Sequence, residues 1–374
     1  MFHPEESLEF VLFAFFAIAF LIQLAIYLGF YSKLAFFKRN QKLFTYKPVT
    51  IVICAKNEEV NLRKNLPLIL EQDYHDFEVI VVNDLSTDET FYLLEEFEKK
   101  YSNFRAITIK QEGSFPIGKK YPLTLGIKGA KNELVLLTDA DCMPKSNKWI
   151  ESMVRNFYQE KEIVLGYGGY EKLPGLLNKL IRFDTFNIAV NYMSLALSGK
   201  PYMGVGRNLA YQKTLFFKNK GFASHFHIPS GDDDLFISRV ANKNNVAIEP
   251  QEEGHTISKA KTSFKSWVRQ KKRHLTTAPH YKGETKFLLS LISLSSAFFI
   301  LLFVVLLALQ FQIYLILGIF LFRSILQFVI FSRLTKMLGE KDLLIFLPLL
   351  EIILIFVYPV FIFSNFMIKQ NRWN

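Results

Sequence analysis

Cysteine is nearly missing from this sequence, which has Cys54 and Cys142 and no others in 374 residues. Two thiols cannot build a disulfide framework, and their separation is unlike the ligand spacing of a zinc site. A disulfide-stabilised secreted fold and a zinc module are therefore excluded. We expect the soluble part of the chain to face a reducing compartment.

A basic N-terminal start is missing as well. A cleaved signal peptide has basic residues, a short apolar stretch and a small-residue cleavage site. Here Glu5, Glu6 and Glu9 stand at the beginning of a full-length apolar run, so we expect that run to remain uncleaved. Disorder is excluded because half of the residues are hydrophobic and 15% are aromatic, enough for a large core.

Long apolar runs lie at both ends of the chain. Each has the length that crosses a bilayer, which takes about 20 residues of helix. The runs occupy residues 8–30, 287–309, 311–331 and 343–368. The sequence thus predicts an integral membrane protein with one N-terminal span, a central soluble domain and three C-terminal spans.

The net charge of +11 is compatible with nucleic acid or with anionic lipid as a partner. Lysine and arginine cluster beside the apolar runs, so membrane lipids explain the charge and no nucleic acid partner is expected. The positive-inside rule orients the first span by the basic residues that follow it. These residues are Lys33, Lys38, Arg39, Lys42 and Lys47.

This charge bias puts the N-terminus outside and the central domain in the cytoplasm of a multi-pass protein of the plasma (inner) membrane. Arg333, Lys336 and Lys341 fit this topology, since they fall in a connection that is then cytoplasmic. Lys369 and Arg372 run against the rule, because three C-terminal spans return the chain to the outside.

Arg323 and Glu351 are ionisable residues inside the predicted spans. Lipid cannot solvate such groups, which therefore face a protein interior or a partner. Counted from the connection between the last two spans, both residues lie at about the same depth in adjacent antiparallel helices. We predict a buried ion pair between them, with a site for an acceptor lipid as the alternative.

The central region alternates short β-branched runs with helical patterns, which is typical of a parallel sheet covered by helices. The predicted class is α/β, with strands at residues 49–55, 77–83, 104–109 and 133–139. Helices are expected to begin near residues 57, 87, 119 and 147. Ser86 and Glu89 have the spacing of a capping box at the second of these helices.

Acidic residues follow two of the predicted strands, where ligands of open α/β sheets bind. Asp84 comes after the second strand and is either a ligand-binding residue or a turn former. Asp139 and Asp141 close the fourth strand at alternate positions. Two hard oxygen ligands so spaced can hold Mg²⁺ or Mn²⁺, and the cation can carry a diphosphate.

A run of three acids, Asp232 to Asp234, follows Gly231. Acids favour the positive end of a helix dipole, so the run fits a solvated helix start. Adjacent carboxylates also raise one another's pKa, which suits a general base that takes a proton from a hydroxyl. Both interpretations remain open from the residues alone.

The stretch 263–280 is basic and interleaved with aromatic residues. One interpretation is a juxtamembrane helix on anionic lipid. The other is a substrate site, in which Arg273 neutralises a departing diphosphate and Gln270 hydrogen-bonds to a sugar. Lys119 and Lys120 are interpreted in the same two ways, as phosphate contacts or as solvated residues at a helix start.

Four segments in order resemble the motifs of membrane-bound family 2 glycosyltransferases, which have a GT-A catalytic domain on the cytoplasmic side. Residues 81–88 read VVNDLSTD, 138–141 TDAD, 231–234 GDDD and 270–274 QKKRH. They are similar to the nucleotide-binding acid, the DxD metal motif, the ED-type catalytic acid and the QxxRW motif of that family. The resemblance covers roughly residues 49–280.

The resemblance implies roles for five acids. Asp84 would contact the nucleotide, Asp141 would bind metal, and Asp139 would help to hold the metal and the donor. Asp233 would be the base that deprotonates the acceptor, with Asp232 as the second choice. The cofactor would be Mg²⁺ or Mn²⁺.

The nucleotide-sugar site is expected to include residues from several segments. Ala55, Asn57 and Glu58 resemble the family's first-strand segment beside the base, and Gly204 to Asn208 resembles a glycine-containing segment near donor and acceptor. The full set expected to bind the nucleotide sugar is Ala55, Asn57, Glu58, Asp84, Lys119, Asp139, Gly206, Arg207, Gln270, Arg273 and His274.

Two positions depart from the family pattern. His274 stands where the family usually has tryptophan, so the aromatic platform for an acceptor is smaller and processive growth is disfavoured. Asp84 follows Asn83 rather than a second aspartate, which leaves one carboxylate for the nucleotide. A further residue, His255, is a candidate metal ligand, although a lone histidine in a polar loop is expected to be solvated.

The sequence therefore predicts an enzyme of glycan biosynthesis, an inverting hexosyltransferase that moves a sugar from a nucleotide-diphosphate sugar to a membrane-associated, lipid-linked acceptor. The alternatives are a processive polysaccharide synthase and a catalytically idle membrane scaffold of the same fold. The expected segments are an N-terminal anchor (1–32), a GT-A domain (48–254), a basic juxtamembrane segment (255–286) and a C-terminal membrane region (287–374).

Overall fold

The computed structural model describes residues 4–39, 46–110 and 118–367, with side chains from residue 8 to residue 363. The expected basic residues Lys42, Lys369 and Arg372 lie outside the described residues. The chain forms two compact units. The helical unit consists of residues up to 38 together with 282–359, and the α/β unit is centred on residues 39–281.

Strands and helices alternate through the α/β unit, and long helices form the other unit. The strands are β1 (Val49–Ala55), β2 (Phe77–Asp84), β3 (Phe104–Ile109), β4 (Leu134–Asp139), β5 (Met143–Pro144), β6 (Ile163–Gly166), β7 (Gly168–Tyr170), β8 (Leu209–Gln212), β9 (Val246–Glu249) and β10 (Thr256–Ser258). The helices are α1 (Pro4–Ile26), α2 (Ser32–Ala35), α3 (Glu59–Leu70), α4 (Thr90–Lys100), α5 (Lys120–Gly129), α6 (Trp149–Val154), α7 (Leu176–Leu197), α8 (Lys213–Lys218), α9 (Asp234–Val240), α10 (Phe264–Leu275), α11 (Gly283–Ala308), α12 (Ile313–Met337) and α13 (Leu347–Met367). A π-helical turn, Tyr27–Tyr31, joins α1 to α2, and short 3-10 turns cover Ala223–His225, Glu252–Gly254, Ala278–His280 and Lys341–Phe346.

A seven-stranded sheet forms the centre of the α/β unit, in the order β3-β2-β1-β4-β8-β6-β9. Strands β1 to β4 are mutually parallel, β8 runs antiparallel between β4 and β6, and β9 is parallel to β6. A smaller sheet has the order β5-β10-β7. The α/β class and the four predicted strands are confirmed, with β2 one residue longer and β4 one residue shorter than expected.

Strands β1, β2 and β4 are buried on both faces, which explains their nearly continuous apolar sequence, whereas β3 at the edge of the sheet is mostly half-buried. Side chains from α3, α4 and α6 pack with alternate residues of β1, β2 and β4 in one core. On the opposite face, Gly126 of α5 lies directly over Val52 and Val82, where a β-carbon would clash with Val52. Helices thus pack closely on both faces of the sheet, which holds the strands in place and keeps their carboxyl ends together at one edge.

The predicted capping box at Ser86 and Glu89 is wrong. Helix α4 begins at Thr90, and no side chain of Glu89 caps it. The Ser86 hydroxyl instead accepts a hydrogen bond from the backbone N–H of Asn57 at 2.9 Å, and Asp88 accepts from the N–H of Thr90 at 3.1 Å. The loop after β2 is therefore hydrogen-bonded to the loop after β1. The spacing of Ser86 and Glu89 in the sequence could not predict this tertiary contact.

The expected solvation of His255 is also wrong. Its side chain is fully buried, and its ring lies 5.0 Å from that of Tyr167. Nε2 donates a hydrogen bond to the carbonyl of Pro250 at 2.9 Å, which requires the proton on that nitrogen. Burial lowers the pKa of His255 to about 4, so the imidazole is neutral and packs as part of the core.

Four helices are long and apolar enough to cross a membrane: Leu8–Ala35, Gly283–Ala308, Ile313–Met337 and Lys341–Phe363. They correspond to the four predicted spans, and the last one begins earlier than expected because the turn at Lys341–Phe346 continues directly into α13. The aromatic rings of Phe16, Phe299 and Phe320 stack within the helical unit. The two stacked pairs have centroid distances of 4.8 and 6.1 Å.

The predicted ion pair between Arg323 and Glu351 is confirmed. Arg323 Nη2 lies 2.5 Å from Glu351 Oε1 in the interior of the helical unit. Gln23 accepts from Arg323 Nε at 2.7 Å, while Gln327 and Ser296 donate to the Glu351 carboxylate at 3.0 and 2.7 Å. The pair thus lies within a hydrogen-bonded network that joins α1, α11, α12 and α13, and these bonds offset the desolvation of both charges.

Candidate active site

The ends of β1, β2 and β4 lie level at one edge of the large sheet. Their register pairs Ala55 with Asn83 and Cys54 with Asp139. The segments that follow these strands therefore meet, as expected for parallel strands. Asp84 ends β2 at the same edge, half-buried, and burial raises the pKa of its carboxyl group.

Asp139, Asp141 and Cys142 form a cluster after β4. One ligand atom from each residue lies within 4.8 Å of the others. The Cys142 thiol is buried and donates to Asp141 Oδ1 at 3.5 Å. Carboxylate oxygens at this separation suit a hard divalent cation such as Mg²⁺ or Mn²⁺, so the predicted residues fit the predicted metal.

The two aspartates of this cluster differ in the direction in which the protein shifts their pKa. Burial opposes ionisation of Asp139, yet its pKa is lowered by several charges together, first of all by the ion pair with Lys119. The charges of Arg207 and Arg273 act on Asp139 in the same direction. Asp141 has no such ammonium partner among the described residues, and burial together with the charge of Asp139 raises its pKa. A divalent cation would compensate this crowded negative charge.

Asp233 occupies the turn between the Ala223–His225 segment and α9. Its Oδ2 accepts from the backbone N–H of Gly206 at 2.7 Å, and its Oδ1 accepts from the N–H of Asp234 at 2.7 Å. Burial, followed by the charges of Asp232 and Asp234, raises the pKa of Asp233 to about 8. A carboxyl group with this pKa can exchange a proton near neutral pH.

Gly206 lies between the acidic turn and the end of β4. A β-carbon added at this position would be 3.5 Å from Asp233 Oδ2 and 3.7 Å from Lys119 Nζ. Lys119 in turn pairs with Asp139. The structure thereby brings together Asp139, Lys119, Gly206 and Asp233, which are distant in sequence.

Arg207 is held by contacts to three strands, β4, β7 and β10. Its carbonyl accepts from the hydroxyls of Thr138 and Thr256 at 3.0 and 2.9 Å. Its guanidinium lies 4.4 Å from the ring centre of Tyr170 and donates to Ser258 Oγ at 3.2 Å. Sequence reasoning missed Tyr170, because its importance comes from lying under Arg207 rather than from any motif.

The basic stretch folds as helix α10, which Ser263 caps by accepting from the N–H of Ser266. Lys271 forms a buried ion pair with Asp184 of α7, and Gln270 Nε2 donates to the Tyr170 hydroxyl at 3.2 Å. One side of this helix is therefore fixed within the α/β unit beside Arg207, while His274 is exposed. Gln270 and Arg207 thus contact the same tyrosine.

The loops after β1 and β2 interlock. Asn57 has a left-handed backbone (φ 56°), and its Oδ1 accepts from the N–H of Thr87 at 2.7 Å. Glu58 accepts from Asn61 at 2.6 Å, and burial, opposed by that bond, raises its pKa with a smaller contribution from Asp141. Ala55, Asn57 and Glu58 are therefore placed at the same strand edge as the two aspartates.

Lys120 contacts neither solvent nor an open phosphate site, so both expectations for it are wrong. Its side chain is buried, and Nζ donates to the carbonyls of His225, Ile228 and Ser230 at 2.6, 2.5 and 2.7 Å. Asp234 is buried too, in contrast to the solvated helix start considered above.

Comparison with known proteins adds to this geometry. The family model described as Glycosyl transferase family 2 matches residues 50–217. Residues 50–217 of the α/β unit belong to glycosyl transferase family 2. The match includes the first two of the four motifs, at 81–88 and 138–141, and the resemblance to the family is thereby confirmed.

The chain aligns with only part of the length of its curated relatives. An uncharacterized glycosyltransferase of Haemophilus influenzae is 23% identical over 209 residues, which is 54% of this chain and 63% of the relative. A dolichyl N-acetyl-alpha-D-glucosaminyl phosphate 3-beta-D-2,3-diacetamido-2,3-dideoxy-beta-D-glucuronosyltransferase of Methanococcus voltae is 27% identical over 173 residues, 46% of this chain and 50% of the relative. The chain thus spans between half and two thirds of these two relatives.

A solved structure has the same fold over nearly the whole chain. A mannosyltransferase from Pyrobaculum calidifontis, in complex with GDP-Man and Mn²⁺, superposes with a TM-score of 0.58 at 18% identity. The match covers 93% of this chain and 99% of the mannosyltransferase. This family 2 glycosyltransferase therefore has the GT-A fold that was predicted.

Proposed function

We propose that this glycosyltransferase moves a hexose from a nucleotide-diphosphate sugar to a membrane-associated, lipid-linked acceptor, with inversion at the anomeric carbon. We also propose that it does so at the cytoplasmic face of the plasma (inner) membrane. One observation carries the proposal. The N–H of Gly206 donates to Asp233 Oδ2, and a β-carbon at Gly206 would also lie 3.7 Å from Lys119 Nζ, which pairs with Asp139.

The proposed reaction is a single displacement. Asp233 takes the proton from the acceptor hydroxyl while the oxygen of that hydroxyl bonds to the anomeric carbon. In the same step the bond from the anomeric carbon to the diphosphate oxygen breaks. Asp233, with a pKa of about 8, is deprotonated in part of the population near neutral pH and more fully in alkaline solution. Asp232, the neighbouring carboxylate, is the second choice for the base.

Negative charge grows on the leaving diphosphate as this bond breaks. A cation held by Asp139 and Asp141 would neutralise part of that charge. Arg273 lies close enough to Asp139 to affect its pKa, and a guanidinium can bind phosphate through two hydrogen bonds. The residues proposed to hold the nucleotide sugar are Ala55, Asn57, Glu58, Asp84, Lys119, Asp139, Gly206, Arg207, Gln270, Arg273 and His274.

The relatives support the choice of substrates. The mannosyltransferase with the same fold was solved with GDP-Man and Mn²⁺, which supports a nucleotide-sugar donor and a divalent cation here. The name of the Methanococcus voltae relative specifies a sugar on dolichyl phosphate, which supports a lipid-linked acceptor. Four helices of membrane-spanning length supply the environment that such an acceptor needs.

The proposed segments are the N-terminal anchor (1–32), the GT-A domain (48–254), the basic segment (255–286) and the C-terminal membrane region (287–374). We propose that lipid head groups contact the basic residues beside the spans.

The test is nucleoside diphosphate release by the purified protein in detergent, with a panel of nucleotide sugars and added membrane lipids. Mn²⁺, Mg²⁺ and a chelator are compared. We expect release with one donor, dependence on metal and loss in Asp141→Ala, while the exposed control Asp73→Asn keeps full activity. Activity that survives the chelator would remove the metal assignment.

The product distinguishes the alternatives. Labelled sugar that partitions into organic solvent is expected for a lipid-linked acceptor. A long water-soluble polymer would instead identify a processive synthase. No release with any donor, from a folded protein, would favour the idle scaffold.

A further inference from the structure

The acidic turn Gly231–Asp234 is anchored on both of its sides by residues that no sequence motif singles out. We propose that Lys120, Thr277 and Tyr281 are positioning residues that hold this turn so that Asp233 stays against Gly206. The inference rests on the proposed function, because it concerns the base of that reaction. It adds a physical reason why the turn keeps its place.

Lys120 anchors the segment before the turn. Its ammonium donates to the carbonyls of His225, Ile228 and Ser230, all within 2.7 Å. A lysine has three N–H donors, so these bonds use all of them. Lys120 therefore has no hydrogen bond left for a substrate phosphate, and its role is to fix the backbone path of residues 225–230.

The turn itself continues this anchoring. The carbonyl of Gly231 accepts from His225 Nε2 at 2.9 Å, so a hydrogen bond joins the two ends of the segment 225–231. Gly231 has φ 98°, and a β-carbon there would lie 2.6 Å from Leu235 Cδ1. Only glycine allows the chain to enter α9 this tightly.

Thr277 and Tyr281 anchor the other side through Asp234. The Asp234 Oδ2 atom accepts from Thr277 Oγ1 at 2.5 Å and from the Tyr281 hydroxyl at 2.6 Å, and Oδ1 accepts from the N–H of Leu235 at 2.7 Å. Both oxygens are engaged in a buried position. Asp234 is buried and takes both side-chain hydroxyl bonds, whereas Asp232 and Asp233 are half-buried, so Asp234 is assigned as an anchor rather than a base.

These contacts determine where the acidic turn places the Asp233 carboxyl group. Asp233 lies between two anchored segments, and its Oδ2 reaches the Gly206 N–H at 2.7 Å. Misplacing a reacting group by about 1 Å can reduce a rate by about a hundredfold. Loss of either anchor is thus expected to slow transfer while the affinity for the nucleoside diphosphate is kept, because neither the Lys120 ammonium nor the Tyr281 hydroxyl bonds to Asp139 or Asp141.

The experiment compares Lys120→Met and Tyr281→Phe with matched exposed controls, Lys128→Met on the same helix and Tyr92→Phe. Three quantities are measured: kcat for sugar transfer, the Kd of the nucleoside diphosphate with Mn²⁺ by calorimetry, and hydrogen exchange of residues 225–234. We expect kcat to fall about a hundredfold in Lys120→Met and about tenfold in Tyr281→Phe. The Kd should change by less than about twofold, and exchange at 225–234 should become faster.

The controls should match the wild type in all three measurements. Equal losses in kcat and nucleotide affinity would overturn the inference, because they would indicate general damage. Unchanged kcat and exchange in both variants would overturn it as well. Tyr281→Phe removes one hydroxyl only, so it decides the matter if Lys120→Met does not fold.

Failure of the proposed function is recognised separately. If the wild type transfers no sugar from any donor, that proposal fails by itself. Hydrogen exchange then still tests the anchors, since unchanged protection of residues 225–234 in Lys120→Met would contradict the contacts described here.

Discussion

In the helical unit, Arg323 and Glu351 are 2.5 Å apart, and neighbouring glutamine and serine side chains supply the remaining hydrogen bonds. At the strand edge of the α/β unit, by contrast, like charges are close together. Asp141 lies beside Asp139, and burial and that charge raise its pKa. Asp233 lies beside two further aspartates and has a pKa of about 8.

This difference separates charges that stabilise structure from charges available for chemistry. A buried pair with complete hydrogen bonding has little tendency to take up a proton or a ligand. Crowded carboxylates gain from binding a cation or a proton, which is what a metal site and a base require. Five expected outcomes test this distinction, from the largest effect to the smallest.

Asp233→Asn should abolish most transfer without harming the fold. The amide keeps the shape of the side chain but cannot take a proton, so kcat should fall by roughly 10² to 10⁴. The fold should be kept with a modest loss of thermal stability, because the amide nitrogen cannot accept one of the two backbone N–H bonds while a crowded negative charge is removed. An unfolded variant, or full activity, would contradict the assignment. The exposed control Asp73→Asn should keep full activity.

Arg323→Gln and Glu351→Gln should have the opposite profile, with a large loss of stability and little change in kcat of the folded fraction. Removing one partner leaves the other charge buried, at a cost of about 3 kcal/mol. The double variant should lose less than the sum of the two. Unfolding in detergent measures these changes, and Arg333→Gln on the same helix is the exposed control. Additive losses would show that the two residues do not interact.

The pH profile of transfer should report the raised pKa of Asp233. A base must be unprotonated, so kcat/KM should rise with pH and level off above about 8. Asp232→Asn removes a like charge and should move this limb to lower pH. Loss of activity in Asp232→Asn would instead identify Asp232 as the base.

The same shift has a consequence for stability. A carboxyl group with a pKa raised on folding binds a proton in the folded state that the unfolded state has released, so its contribution to stability is lost as pH rises through about 8. The unfolding temperature of Asp233→Asn, relative to that of the wild type, should therefore be higher in alkaline than in acidic buffer.

Gly206→Ala should have the smallest effect. The new methyl group would lie 3.5 Å from Asp233 Oδ2 and 3.7 Å from Lys119 Nζ, which is ordinary contact, so the fold should be kept. It would nevertheless narrow the space between the acidic turn and the strand edge. We expect kcat/KM for the donor to fall by about tenfold, with unchanged thermal stability. An unchanged kcat/KM would place the donor elsewhere.

Much of the architecture could be predicted from local pattern. Buried parallel strands such as β1 and β4 are continuous apolar runs, and membrane-length helices are longer still, so both are visible without tertiary information. The Arg323–Glu351 pair was also predictable, because helix rise converts sequence position into depth. Helix starts were less accurate: α4 begins at Thr90, since Ser86 bonds to Asn57 instead of capping its own helix.

The sequence by itself determined which residues are charged, which runs are apolar and which acids follow strands, because these depend on composition and short periodicities. Only the tertiary structure decided what each charge contacts. Lys119 and Lys120 are neighbours of the same type, yet one pairs with Asp139 and the other donates to three carbonyls. The reason is physical: a side chain's partners come from segments distant in sequence, and packing alone brings them within hydrogen-bonding distance.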